Sequence, residues 1–133
     1  MSEVFADTFY YLAVINPNDA AHRRAVQISE SLAGTVVTTA WVLTEVADAL
    51  AAPPLRPHFL SLFRMLDEDP EVVIVPCSQE LFDAGIDLYS RRLDKGWSLT
   101  DCISFLTMDE RGIGTALTAD HHFEQAGFTA LLR

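Results

Sequence analysis

Basic residues are scarce in this chain of 133 residues: nine Lys and Arg stand against nineteen Asp and Glu, a net charge of −10. That balance excludes broad, sequence-independent attraction to nucleic acid or to an anionic membrane. Cysteine is scarcer still. Cys77 and Cys102 lie far apart with no pairing pattern and no C-x-x-C spacing, which excludes a disulfide framework and a cysteine-based metal knuckle. They read as two small core-like residues in a reducing compartment. No apolar stretch approaches membrane-spanning length, and the opening MSEVFAD lacks the basic region and long apolar run of a signal peptide. A soluble, cytoplasmic protein without membrane contact is expected. The absence of a glycine-rich phosphate loop removes nucleoside-triphosphate motors. There is no internal repeat, low-complexity tract or linker, and half of the residues are apolar. A single folded domain over residues 1–133 is expected.

The apolar segments alternate between two periods. Val4–Ala6 reads as a first short strand, and residues 8–15 (TFYYLAVI) as a buried helix stopped by Asn16-Pro17. Asn18 or Asp19 is placed to cap a second helix carrying Ala21, Ala25, Ile28 and Leu32, with Gly34 as its stop. β-Branched residues mark a strand at 35–38 and the strongest strand at 72–75. Between them run a helix over about 39–52, with Leu43, Val46, Ala47 and Leu50 inward, and one over about 57–66 burying Phe59, Leu62, Phe63 and Leu66. Ser78 caps a long helix reaching residues 91–93, and Ser98 opens another with Leu99, Cys102, Ile103 and Leu106 inward. A strand at 115–118, a short helix at 121–125 and a last strand at 128–131 follow. Strands alternating with helices predict an α/β fold of three layers, with a central, mostly parallel sheet of four to five short strands. In open sheets of this kind sites form beyond the carboxyl ends of the strands.

Four carboxylates stand where the apolar pattern breaks. Asp7 ends the first strand, Asp120 follows the fourth, Asp101 opens a helix, and Glu45 interrupts a helical stripe. Three have an ordinary structural use. Asp7 and Asp120 can cap the helices that follow them, for roughly 1 kcal/mol each. Ser98-Leu99-Thr100-Asp101 has the form of a capping box. Glu45 sits mid-helix and cannot be a cap, which leaves a solvated glutamate or a functional one. The four positions would converge in an α/β fold, and the commonest reason to gather acids is a divalent metal.

Together these segments resemble the PIN-domain ribonucleases, especially the VapC toxins of bacterial toxin–antitoxin pairs. The resemblance spans nearly the whole chain and rests on FADTFYYLAVINPND, TTAWVLTEVADAL, WSLTDCISFLTMDERGI and ALTADHHFEQAGF. It implies a PIN-like fold and a metal site and catalytic set of Asp7, Glu45, Asp101 and Asp120, with Thr8, Thr100 and Thr118 as supporting polar neighbours. It also implies hydrolysis of RNA phosphodiesters by water, leaving a 5′-phosphate and a 3′-hydroxyl, in a homodimer silenced by an antitoxin that sends an Arg into the acidic site.

Oxygen donors of this kind select Mg²⁺ or Mn²⁺. Four carboxylates brought together repel one another, so without metal at least one should hold its proton more tightly. RNA must then be met by a local basic surface, for which Arg91, Arg92 and Lys95 are the candidates, although favourable placement at a helix C-terminus alone explains them. Trp97 offers either a stacking face or packing. His121-His122 is disfavoured as a metal pair, because adjacent helical positions diverge. Cys102 is a poor nucleophile candidate on an inward stripe. Other classes stay open at this point: an aspartyl-nucleophile phosphatase, disfavoured by Phe9 where a second Asp is wanted, a solitary RNA-processing nuclease, and a non-catalytic Mg²⁺-binding module.

Overall fold

The computed structural model describes residues 2–133. The chain runs β1 (Glu3–Ala6), α1 (Thr8–Ile15), α2 (His22–Ser31), β2 (Thr35–Thr39), α3 (Ala40–Ala49), α4 (Arg56–Glu68), β3 (Val72–Val75), α5 (Gln79–Arg91), α6 (Leu99–Arg111), β4 (Thr115–Leu117), α7 (His121–Gln125) and β5 (Thr129–Ala130). The five strands form one sheet in the order β3-β2-β1-β4-β5, and every pairing is parallel. Parallel neighbours require crossovers, and the helices supply them. The right-handed rule puts α1 to α4 on one face, since the chain steps outward from β1 to β3, and α5 to α7 on the other, since it then crosses back to β4 and β5. The expected three-layer α/β/α architecture is present.

Burial follows the apolar runs. Phe5, Ala6, Val37, Ala116 and Leu117 fill the sheet centre, and Val42, Val46, Met108 and Phe123 from the helices join them in one core cluster. The most enclosed helix is α6, in which seven residues are buried, Ser104 and Thr107 among them. Phe105 anchors an aromatic cluster by meeting Trp97 and Phe123 edge-on, each with ring centroids 5.0 Å apart. α5 approaches α6 at Gly85, where a β-carbon would lie 2.5 Å from Ile103 Cγ1.

Several local expectations are corrected. Phe63 is exposed, stacked on half-buried Phe59 rather than sunk in the core, and only Leu62 and Leu66 of α4 are buried. Cys77 is exposed just past β3, and only Cys102 is core-like. Neither Asn18 nor Asp19 is the N-cap of α2; that residue is Ala21, whose amide is held by Asp19 Oδ1 at 2.8 Å in a turn before the helix. Gly34 does not end α2, which stops at Ser31. It turns the chain at φ +94° into β2, where a side chain would collide with the Ser2 carbonyl. The strand with the strongest β signal, β3, lies at the sheet edge and is only half-buried. Pro53 closes α3 early, at Ala49, through a turn of 3₁₀ helix.

Candidate functional site

β1 and β4 are adjacent although two strands intervene between them in sequence. This is the switch point of the sheet, where the chain has gone one way from β1 and returned to the other side. In open α/β sheets the crevice beyond the carboxyl ends at such a point is the usual binding place. Asp7 follows β1 directly, and Thr118, Ala119 and Asp120 follow β4.

Asp7 occupies the N-cap position of α1, yet its side chain makes no capping hydrogen bond. It is buried, and its Oδ2 accepts a 3.0 Å bond from the Thr118 hydroxyl. Burial pushes its carboxyl up to about 7, and the charges of Asp101 and Asp120 add to the effect against the Thr8 amide and the Thr118 hydroxyl. The capping explanation therefore fails for Asp7.

For Asp101 and Asp120 the capping explanation holds, and both carboxylates also line one cleft. Ser98 and Asp101 form the reciprocal box, with Ser98 N donating to Asp101 Oδ2 and Asp101 N to Ser98 Oγ, both at 3.0 Å. The box fixes where Asp101 projects. Burial raises its carboxyl from the usual range, as do Asp120 and Glu45, while the Ser98 amide and His122 oppose the shift. Asp120 Oδ1 caps α7 by accepting from His122 N at 2.9 Å, and Asp120 N donates in turn to Thr118 Oγ1 at 3.1 Å. Thr118 thus joins the first acid to the fourth.

Glu45 comes from α3, two-thirds of the way along the helix, and is half-buried. The Thr8 hydroxyl donates to its Oε1 at 2.6 Å. The elements thus converge. Asp7, Thr8, Glu45, Ser98, Asp101, Asp120 and His122 line one open cleft of about 480 Å³, with Phe9 and Leu12 as an apolar wall.

Thr100 does not join this lining; it is half-buried elsewhere on α6. Arg91 ends α5, and Arg92 and Lys95 lie on the turn that follows; all three are already paired with acids. Arg91 meets Asp87 at 2.9 Å, Arg92 makes two 3.1 Å bonds to Asp94, and Lys95 lies 3.8 Å from Asp94. Trp97 is buried packing, not a free stacking platform. Its indole N–H donates to Gln125 Oε1 at 3.0 Å, and the Arg92 guanidinium sits 5.0 Å over its ring. Burial and the neighbouring Asp101 push the Cys102 thiol up, so it is no nucleophile.

One residue of the cleft, His122, belongs to the pair that the sequence disfavours as metal ligands. His121 and His122 do not diverge: their rings lie 4.3 Å apart, and Asp120, His121 and His122 each bring a donor atom within 4.8 Å of the others. His122 Nδ1 is 3.2 Å from both Asp101 Oδ2 and Asp120 Oδ1. An aspartate at an N-cap aims its carboxylate at the second helical amide, which here belongs to His122, and that was the available signal.

No curated protein matches the chain. Twelve chains from solved structures do, VapC20 and FitAcB among them. VapC20 of Mycobacterium tuberculosis, described as a Sarcin-Ricin loop cleaving toxin, superposes with a TM-score of 0.87 at 25% identity, covering 95% of this chain and 96% of that one. FitAcB from Neisseria gonorrhoeae shares the fold with a TM-score of 0.67 at 20% identity, over 96% of this chain and 94% of that one. The model of the PIN domain matches residues 4–129, a span that includes all four acids. The chain belongs to the PIN domain family.

Proposed function

We propose that this protein is a Mg²⁺- or Mn²⁺-dependent endoribonuclease, the toxin of a toxin–antitoxin pair, working as one nuclease domain over residues 1–133 in the cytoplasm. The observation that carries this is the convergence of Asp7, Glu45, Asp101 and Asp120 on one cleft at the switch point of the sheet. Among the relatives, the description of VapC20 as a Sarcin-Ricin loop cleaving toxin supports RNA as the substrate class.

The residues fit a divalent ion. Hard oxygen donors suit Mg²⁺ and Mn²⁺. Asp7, buried and facing two further acids, resists ionisation in a way that a cation relieves. Asp7, Glu45 and Asp101 form the main ligand set, and Asp120 adds a direct or water-mediated contact. When bound, the ion supplies charge to neutralise phosphate oxygens and lowers the pKa of water for in-line attack. The protein's own part is alignment. Thr118 orients Asp7, Thr8 orients Glu45, and the capping box holds Asp101. Asp120, half-exposed at the cleft, accepts the proton of the attacking water. Products carry a 5′-phosphate and a 3′-hydroxyl.

RNA approaches over the turn bearing Arg92 and Lys95, since Gly96 and Ser98 of that turn line the cleft. A homodimer and a cognate antitoxin complete the proposal. Large apolar side chains exposed on two helices, Leu60, Phe63 and Met65 on α4 and Phe82, Ile86 and Tyr89 on α5, support protein partners. Calorimetric titration of Mn²⁺ into Asp7→Asn and Asp101→Asn tests the metal set. Both variants should lose at least about tenfold in affinity; unchanged affinity and cleavage in both would overturn it.

A further inference from the structure

We infer that His122 is a nitrogen donor to the divalent ion of this cleft, so that the centre is a mixed carboxylate–imidazole site favouring Mn²⁺ over Mg²⁺. The inference rests on the metal-centre proposal above and adds a ligand to it. His122 Nδ1 is buried and makes no hydrogen bond, although it lies 3.2 Å from Asp101 Oδ2 and 3.2 Å from Asp120 Oδ1. It is near both carboxylates and aligned with neither. A buried ring nitrogen without a partner calls for an explanation. Coordination gives one: donors in adjacent octahedral positions, with bonds of about 2.1 Å, lie about 3 Å apart.

Both neighbouring oxygens are also held in place independently of the imidazole. Asp101 Oδ2 accepts from Ser98 N, and Asp120 Oδ1 from His122 N. The backbone thus fixes two acids around a ring nitrogen that lies at ion-pair distance from both and hydrogen-bonds to neither. The other ring nitrogen, Nε2, faces Gly96, where a β-carbon would lie 3.6 Å away, so the ring is seated against the turn. His121 is the contrasting neighbour. It is exposed, its Nδ1 is 3.7 Å from Asp120 Oδ1, and it does not line the cleft. An imidazole donor favours first-row transition ions, whereas Mg²⁺ prefers oxygen and keeps its waters.

Pulsed electron paramagnetic resonance of the Mn²⁺-loaded protein reads the bond directly. Wild type should show coupling to a nitrogen nucleus that changes when the histidines carry ¹⁵N. The coupling should vanish in His122→Asn and persist in His121→Asn. By calorimetry, His122→Asn should lose at least about tenfold in Mn²⁺ affinity and less than about twofold in Mg²⁺ affinity. If His122→Asn does not fold, isotope-labelled His121→Asn decides the matter, since His122 is then the one histidine left that lines the cleft. Mn²⁺ bound with no histidine coupling, or coupling that survives in His122→Asn, overturns the role of His122 and leaves the acidic centre standing. A wild-type protein that binds no Mn²⁺ contradicts both.

Discussion

The Thr118 hydroxyl donates to Asp7 Oδ2 at 3.0 Å, tying the end of β4 to the end of β1 across the switch point of the sheet. The same oxygen accepts from the Asp120 amide at 3.1 Å, so one buried side chain sets the spacing of two acids. Thr118→Val keeps the shape and deletes both bonds. We expect a loss of about 1–3 kcal/mol in urea unfolding, because the Asp7 carboxyl and the Asp120 amide each lose a buried partner. Mn²⁺ affinity should fall with it, and Thr118→Ser should restore both.

Asp7 also makes stability depend on pH. Its carboxyl is held up to about 7 in the folded, metal-free protein against 3.8 as the reference value. Between those values the folded state keeps a proton that the unfolded state releases, so stability falls as pH rises through this window and levels off above it. At roughly 1.4 kcal/mol per decade, the ceiling is about 4 kcal/mol. Asp101, raised in the same direction, adds to the slope. Urea midpoints of metal-free protein from pH 4 to 8 check this. Asp7→Asn should flatten the profile and be more stable than wild type at pH 8, while losing metal binding.

Most of the fold was legible because β-branched runs and helical stripes recur at clear intervals, and the capping signals at Ser78 and Ser98 were local. What failed depended on the neighbours of a segment. Phe63 has the spacing of a core residue, but α4 covers the edge of the sheet and leaves that flank bare. The acids of the site were legible as a set, yet their geometry was not. Asp7 and Asp120 have the same strand-to-helix setting, and only the structure separates a buried acid with no capping bond from an acid that caps. The sequence disfavours His122 because the rule for adjacent positions ignores how an N-cap folds back.

Gly85 tests the packing that carries Asp101. Gly85→Ala would gain up to about 1 kcal/mol in helix propensity. Its new β-carbon, however, meets Ile103 Cγ1 at 2.5 Å, and Ile103 is fully buried on α6. Overpacking of this kind costs about 1–3 kcal/mol, so a net decrease in stability is expected in thermal unfolding. An increase would mean that α5 and α6 separate freely.

Arg92 and Lys95 stand just before Gly96, which lines the cleft. Their pairing with Asp94 leaves the turn with one net positive charge from these three residues. Arg92→Glu combined with Lys95→Glu should weaken RNA binding and reduce the steepness of its salt dependence. Equal salt slopes for variant and wild type would remove this turn from the RNA path. The double change should also lower thermal stability slightly, since Arg92 covers the Trp97 ring.

End-group analysis of RNA fragments is the most direct trial of the nuclease proposal. Purified wild type with Mn²⁺ should cut RNA to fragments bearing a 5′-phosphate and a 3′-hydroxyl. It should stop in chelator and resume when Mn²⁺ is restored, and Asp101→Asn should give no product under any of these conditions. Cleavage that persists in chelator, a 2′,3′-cyclic phosphate product, or full activity in Asp101→Asn would contradict a water-using metal centre built on these four acids.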